Sequence, residues 1–248
     1  VTPLTIHSNE IQYFDFNNPQ MSEHLWMYEG VTEYFANLFQ VNQGLIDESE
    51  FFERMAGKIA QSRQMNDNMS FTKMSKNVLN APYKDQYLNV YQKGALILHA
   101  LCHEVGEEAF RLSIGLYLKR YAYKNAEVEQ LRLCFEEVTG QDLAWFFDQW
   151  YKRFTYPNYE VSVKKDSLYH MLLYQPAGAF SFAYGKMDVR YSIQGKVENA
   201  SFRVDGPLVR FDFGLLEPDW LIIDPENNAI GSITYPTSND GITNCVNF

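Results

Sequence analysis

The segment from His24 to Phe35 concentrates residue types that metal-dependent chemistry uses. It reads His-Leu-Trp-Met-Tyr-Glu-Gly-Val-Thr-Glu-Tyr-Phe and carries the carboxylates of Glu29 and Glu33 and the phenol of Tyr34. A catalytic zinc binds carboxylate oxygens and imidazole nitrogens and keeps one position open for water or substrate. Composition alone favours another interpretation, in which Glu29 is one surface acid on an amphipathic helix. The residues that flank Glu29 therefore decide between the two interpretations.

The order of residues around Glu29 resembles a known zinc-binding sequence. The string L-W-x-x-E-G-x-x-x-Y-F, in which the glutamate is Glu29, is similar to the signature of the third zinc ligand in the glutamate zincins, or gluzincins. In these metallopeptidases the other two ligands are the histidines of an H-E-x-x-H helix. The resemblance implies that Glu29 is the third ligand. It also implies that Glu33 and Tyr34, one turn further on, support the residues that bind the metal.

A second match lies downstream, at Tyr91. The string Y-Q-K-G-A that begins there resembles the Tyr-x-Lys-Gly-Ala segment of the aminopeptidase N type of zinc aminopeptidase. In that family the tyrosine hydroxyl donates a hydrogen bond to the oxyanion of the tetrahedral intermediate, a role that suits a neutral donor. The resemblance implies that Tyr91 is a catalytic residue. The alternative is that Tyr91 is one of 17 tyrosines and packs in a helix.

The resemblance extends over most of residues 4–233. Residues 91–153 are similar to the helical remainder of the aminopeptidase N type, and residues 220–227 to its β-sandwich. Residues 4–40 look closer to a sister group, the glycyl aminopeptidase-like family. The implied fold is the helical half of a thermolysin-like catalytic domain followed by a small β-sandwich. The implied activity is hydrolysis of N-terminal residues from a peptide substrate through a zinc-activated water.

The largest departure from these families is that the chain contains no H-E-x-x-H. On the resemblance, we expect the sequence to begin after the segment that supplies two ligands and the general base. This chain alone would then be inactive, and the zinc would belong to the complete protein. The alternative is an internal metal site, whose candidate ligands are His7, Glu10, His24 and Glu29. It is less favoured because His24 and Glu29 would diverge by roughly 140° around a helix.

The remaining histidines are weaker candidates. The segment from His103 to Glu107 imitates H-E-x-x-H, but Gly106 inside it predicts the end of a helix. We therefore interpret this segment as a solvated helix terminus. His99 and His170 stand alone, and each is expected to be an ordinary buried or exposed histidine.

The methionines and cysteines do not predict a further site. The polar, Met-rich stretch over 64–76 is interpreted as a surface or substrate-side loop rather than a metal-binding cluster. Three cysteines leave at least one thiol unpaired. Cys102 and Cys134 lie in apolar helical patterns, which favours buried free thiols.

The elements that position these residues are predicted to be helical as far as residue 156. The 3.6-residue period and the capping signals predict helices over 23–40, 48–64, 86–104, 107–121, 126–138 and 141–153. Asp47 with Glu50 is typical of an N-cap and its partner at the third helical position. Gly140 is expected to end the helix before it. Residues 66–80 are predicted to form a loop.

From Tyr159 the apolar period becomes two, which predicts strands. Alternating segments occur at 159–163, 187–193, 200–204 and 208–213, and a further short strand ends before Pro225. About seven short strands separated by turn signals are typical of a β-sandwich. We therefore predict an α+β chain in three parts. They are the helical part of a catalytic domain over 1–156, a sandwich over 157–234 and a tail over 235–248.

The charge of the chain is acidic and unevenly placed. With 21 basic and 31 acidic residues the net charge is −10, which excludes the clustered positive charge that nucleic acid needs. Nine acidic residues and no Lys or Arg occur before Arg54. We expect this stretch to favour a divalent cation and the positively charged N-terminus of a substrate. The alternative, a solvated acidic face, applies to residues 47–53.

Two functions from different classes follow. The favoured one is part of a zinc-dependent aminopeptidase, and the alternative is a non-catalytic peptidase-like scaffold or binding module. No run of about 18 apolar residues is present, so we expect no segment that spans a membrane. The resemblance implies a soluble, bacterial-type protein of the periplasm or the cytoplasm. A truncated catalytic domain would expose apolar surface, so self-association is also expected.

Overall fold

The computed structural model describes residues 5–12, 15, 17, 22–64, 70–74, 84–153, 156–176 and 182–235. The chain divides into two compact units, Val1–Phe154 and Thr155–Phe248. In the described residues, the first unit is mainly helical and the second is built of strands. The chain is therefore α+β, which confirms the predicted fold class.

The first unit is a series of helices with a small parallel strand pair. The strands are β1 (Ile6–His7) and β2 (Lys124–Asn125). The helices are α1 (Asn9–Gln12), α2 (Leu25–Asn42), α3 (Glu48–Gln64), α4 (Phe71–Met74), α5 (Lys84–Val105), α6 (Glu107–Tyr121), α7 (Val128–Thr139) and α8 (Ala144–Phe147). A π-helical stretch, Asp148–Arg153, follows α8. The unit contains long helices because apolar residues recur with the helical period. Both α2 and α3 pack against α5.

The predicted helix ends agree with the structure where a cap residue marks them. Gly140 adopts a left-handed conformation with φ of 68°, and its N–H donates to the carbonyl of Glu136 at 2.8 Å, so α7 ends there as expected. Gly106, with φ of 86°, separates α5 from α6 and confirms that the segment from His103 is a helix terminus. Asp47 Oδ1 accepts the N–H of Glu50 at 2.8 Å.

Three helical predictions need correction. The helix predicted over 23–40 begins at Leu25 because the preceding residues form a turn, in which the Leu25 N–H donates to the carbonyl of Ser22 at 3.1 Å. The helix predicted over 141–153 begins at Ala144 and becomes π-helical at Asp148. The loop predicted over 66–80 contains the short helix α4, since Phe71 is buried and stacks on an aromatic ring of α2. The other residues of that stretch, apart from Ser70, lie outside the described residues.

The second unit contains two sheets that share a hydrophobic core. One sheet has the order β7-β4-β3-β9 and the other has the order β6-β5-β8. The strands are β3 (Asn158–Lys165), β4 (Tyr169–Tyr174), β5 (Gly185–Ile193), β6 (Lys196–Val204), β7 (Leu208–Gly214), β8 (Trp220–Ile223) and β9 (Ser232–Thr234). Neighbouring strands are antiparallel except β3 and β9. The shared core consists of Tyr159, Val161, Met171, Leu173, Met187, Val189, Val204, Leu221 and Ile223.

The alternation of polar and apolar residues did not predict two strands of this unit, β4 and β9. In β4, His170 and Met171 are both buried, so polar and apolar residues do not alternate there. β9 has three residues, which is too short to show a period.

Among the described helices, none has the length and apolar character that a membrane crossing requires.

Candidate active site

The two helices that carry the predicted site residues meet backbone to backbone. A Cβ atom built at Gly30 of α2 would lie 2.4 Å from the Cα atom of Gly94 in α5, and one built at Gly94 would lie 2.7 Å from the Cα atom of Gly30. Such a close approach requires glycine on both helices, because a Cβ atom at either position would push the helices apart. Glu29 precedes one glycine, and Tyr91 lies one turn before the other. The crossing therefore fixes the helix spacing at the level of both predicted residues.

The residues next to the crossing are shielded from solvent to different degrees. Glu29 and Tyr91 are partly buried, whereas Lys93, two residues after Tyr91, is fully buried. Glu29 is thus not a fully exposed surface acid.

Glu33, which was predicted to support the metal ligand, accepts hydrogen bonds from polar groups of α2 and α3. Its Oε1 atom accepts hydrogen bonds from Lys58 Nζ of α3 and from Asn37 Nδ2 at 3.3 Å. Lys58 Nζ also donates to Gln92 Oε1 of α5 at 3.2 Å. Arg54, one turn earlier in α3, donates to Asn37 Oδ1 at 3.0 Å. The carboxylate of Glu33 therefore belongs to a polar seam between α2, α3 and α5.

Tyr34, the other predicted supporting residue, lies in a buried aromatic cluster. Its ring centroid is within 6.2 Å of four other rings, which belong to Phe35, Phe51, His99 and Phe110. Burial raises the pKa of its phenol, and Cys102 is its hydrogen-bond partner. These contacts are typical of a core residue. The role of Tyr34 in supporting a metal ligand stays a prediction.

Cys102 and Cys134 are free thiols, as predicted, but only Cys134 is buried and Cys102 is partly exposed. Burial raises the pKa of Cys102 to about 11, while the hydrogen bond from Tyr34 acts in the opposite direction. The thiolate is the reactive form, so at pH 8 roughly one thousandth of Cys102 is reactive.

We therefore expect slow alkylation of Cys102 by iodoacetamide in a protein that also carries Cys134→Ser and Cys245→Ser. The rate should rise about tenfold per pH unit above pH 8, because the thiolate fraction rises in that proportion below the pKa. Tyr34→Phe removes the hydrogen bond that lowers the pKa and should slow alkylation further. Mass spectrometry of timed samples measures the rate, and fast labelling at pH 8 would contradict the prediction.

A second polar cluster lies at the beginning of α2. The imidazole of His24 is buried between two carboxylates, with Nε2 2.5 Å from Glu127 Oε2 and Nδ1 3.4 Å from Glu10 Oε2. Ser22 Oγ donates to the same oxygen of Glu10. The structure thus brings together two of the four residues considered for an internal metal site, and joins them to Glu127, which was not considered. Of the other two, His7 lies in β1 and Glu29 lies further along α2.

The described part of the chain does not supply a complete zinc site. It contains no group of three or more His, Cys, Asp or Glu side chains arranged to hold a metal ion. Zinc needs at least three protein ligands, so Glu29 alone does not fit the ion. Any zinc bound through Glu29 would require donors from outside the described residues.

Several residues of this region were missed by the sequence analysis. Lys58 and Gln92 were not singled out, and neither was the contact between the two glycines. One signal was available for Lys58. Arg54 and Lys58 are the first two basic residues of the chain and are four apart, so they share a helix face. Such a pair, coming directly after a long acidic stretch, is typical of an ion-paired helix interface.

Comparison with known proteins shows that the sequence of this chain is similar to those of aminopeptidases. The family described as M61 glycyl aminopeptidase matches residues 4–97, which include both glycines of the crossing. Aminopeptidase M1 of Arabidopsis thaliana is 24% identical over 169 residues, covering 66% of this chain and 19% of that protein. Leucyl aminopeptidase of Saccharolobus solfataricus is 33% identical over 116 residues, covering 46% of this chain and 12% of that protein.

The fold has a counterpart among solved structures. Aminopeptidase A of Legionella pneumophila, crystallised in complex with aspartic acid, superposes with a TM-score of 0.65 at 16% identity. The match covers 88% of this chain and 25% of that one. The chain thus spans a quarter or less of each of these relatives. The sequence matches therefore show similarity to aminopeptidases over part of the chain, and the structural match shows that the fold resembles part of an aminopeptidase.

Proposed function

We propose that the chain is part of a zinc-dependent aminopeptidase that removes N-terminal residues from peptides. One observation carries this proposal, namely the backbone contact between Gly30 and Gly94. These glycines belong to the two strings, L-W-x-x-E-G and Y-x-K-G-A, that resemble gluzincin sequences and lie far apart along the chain. A shared active site requires the two strings to meet in space, and they meet at these glycines.

The proposal gives the two helices different roles. Glu29 of α2 is the carboxylate offered to zinc, and Tyr91 of α5 is the hydrogen-bond donor to the oxyanion that forms when the peptide bond is attacked. A bound zinc would supply Lewis-acid activation of water. The described residues contain one of the required ligands, so they carry no complete catalytic cycle by themselves.

The test uses the native full-length protein and measures zinc content and hydrolysis of aminoacyl anilides in parallel. Glu29→Gln should lose both zinc and activity. Tyr91→Phe should retain zinc and lower kcat about 100-fold to 1000-fold, the loss found when one oxyanion donor is removed. Tyr123→Phe is the matched control, because Tyr123 is 87% exposed and lies outside α2 and α5. A native protein without zinc, or an unchanged kcat in Tyr91→Phe, would reject the proposal.

The second candidate is a peptidase-like scaffold that binds peptides without cleaving them. The lack of an H-E-x-x-H string in the chain favours it. It predicts that the native protein binds no zinc and that Glu29→Gln changes neither assay. Peptide binding measured by calorimetry, without turnover of the anilides, would support this candidate over the first.

A further inference from the structure

We propose that Lys58 is a positioning residue that fixes the spacing between the helix of Glu29 and the helix of Tyr91. Its mechanical role depends only on the contacts described here. Its effect on catalysis rests on the proposed function.

Lys58 is placed to join these helices from a third one. Its side chain is only 10% exposed, and its ammonium group donates to Glu33 of α2 and to Gln92 of α5. Hydrogen bonds that involve charged groups are shorter and stronger than neutral ones. Lys58 therefore connects a side chain of α2 with a side chain of α5.

The partners of Lys58 stand next to the proposed catalytic groups. Glu33 is one helical turn after Glu29, so the two carboxylates lie on the same face of α2. Gln92 follows Tyr91 directly in α5. The glycine contact fixes how closely α2 and α5 approach each other, while Lys58 restrains sliding and rotation of one helix along the other.

Arg54 provides an internal comparison. It lies one turn before Lys58 in α3 and also reaches α2, donating to Asn37 Oδ1 at 3.0 Å and to Gln40 Oε1 at 3.2 Å. Its remaining hydrogen bond within the described part of the chain goes to Glu50 of its own helix. Arg54 thus joins α3 to α2 without reaching α5, whereas Lys58 joins all three helices.

The experiment compares Lys58→Met with Arg54→Met in the native full-length protein. Methionine has a similar length and a flexible apolar side chain, so it fills the space of either cation. Glu33, whose side chain is 35% exposed, retains access to water and to Asn37 when Lys58 is replaced. Both variants are therefore expected to fold, which circular dichroism checks.

The first readout is hydrogen exchange measured by mass spectrometry. Lys58→Met should raise exchange about tenfold in peptides that cover residues 30–34 and 91–95, because local opening of both helices becomes easier. Arg54→Met should raise exchange around residues 37–40 and leave residues 91–95 unchanged. Wild-type exchange at residues 91–95 in Lys58→Met would overturn the proposal, whatever the activity of the protein.

The second readout is the split between kcat and KM. Lys58→Met should lower kcat about tenfold and leave KM within about twofold. Replacing a residue that supports metal ligands typically lowers activity about 10-fold to 100-fold, and this effect lies at the low end of that range. Arg54→Met should leave both constants unchanged. An equal loss of kcat in the two variants would overturn the positioning role. If the wild-type protein shows neither zinc nor turnover, the proposed function fails, and hydrogen exchange alone decides the role of Lys58.

Discussion

Replacing Gly30 by alanine is expected to destabilise the helical unit by about 3 kcal/mol, near the upper end of the range for overpacked cores. The new Cβ atom would lie 2.4 Å from the Cα atom and 2.6 Å from the carbonyl carbon of Gly94. Both are backbone atoms, so no side-chain rotation relieves the clash, and α2 and α5 must separate. Urea unfolding followed at 222 nm, where helices dominate the signal, measures the loss.

The matched control is Gly57→Ala in α3. Gly57 also lies inside a long helix, but a Cβ atom there has no neighbour within 4 Å. Alanine should leave stability unchanged or raise it by roughly 0.5–1 kcal/mol, because glycine is the poorer helix residue. Equal stability of Gly30→Ala and Gly57→Ala would contradict the close backbone contact between α2 and α5.

The second large effect is expected at Trp26, the second residue of the L-W-x-x-E-G string. Its side chain is 0% exposed and lies against the rings of Phe71 and Tyr151, with centroids 5.6 Å and 5.8 Å away. Trp26→Ala should cost about 4 kcal/mol, because a cavity replaces the largest fully buried side chain among the described residues. The same urea experiment measures it.

Trp26→Phe separates ring packing from hydrogen bonding. The indole N–H of Trp26 has no hydrogen-bond partner among the described residues. Phenylalanine keeps most of the aromatic contact and removes that donor, so it should cost only about 1 kcal/mol. Trp145→Ala, at a partly exposed tryptophan, is the control for a general effect of losing an indole. A loss in Trp26→Phe as large as that in Trp26→Ala would show that the N–H has a partner after all.

The structure also changes how the acidic beginning of the chain is interpreted. From composition, the nine carboxylates before Arg54 predict a negative field that favours a divalent cation, with a solvated acidic face as the alternative for residues 47–53. In the fold, Glu33 pairs with Lys58 and Glu50 pairs with Arg54, so cations of α3 offset part of that charge. Paired carboxylates contribute little field at a distance, so the cation-attracting charge near Glu29 is smaller than the composition suggested.

Local sequence was sufficient to predict the long helices, because their periods and caps involve residues close together in the chain. The end of α7 at Gly140 and the break at Gly106 depend on a single glycine each, and both predictions are confirmed. Strand prediction was less complete. Whether a short apolar segment such as β4 pairs with a neighbour depends on residues far away in sequence, as its register with β7 shows.

The sequence by itself determined the helical first unit, the strand-rich second unit and the two strings that resemble gluzincin peptidases. Only the tertiary structure decided how those strings relate. It brought Gly30 against Gly94, placed Lys58 between Glu33 and Gln92, and turned Tyr34 toward Cys102 in an aromatic core. Each of these contacts joins residues that are distant along the chain. Local periodicity carries no information about such pairs, since they depend on how whole helices pack.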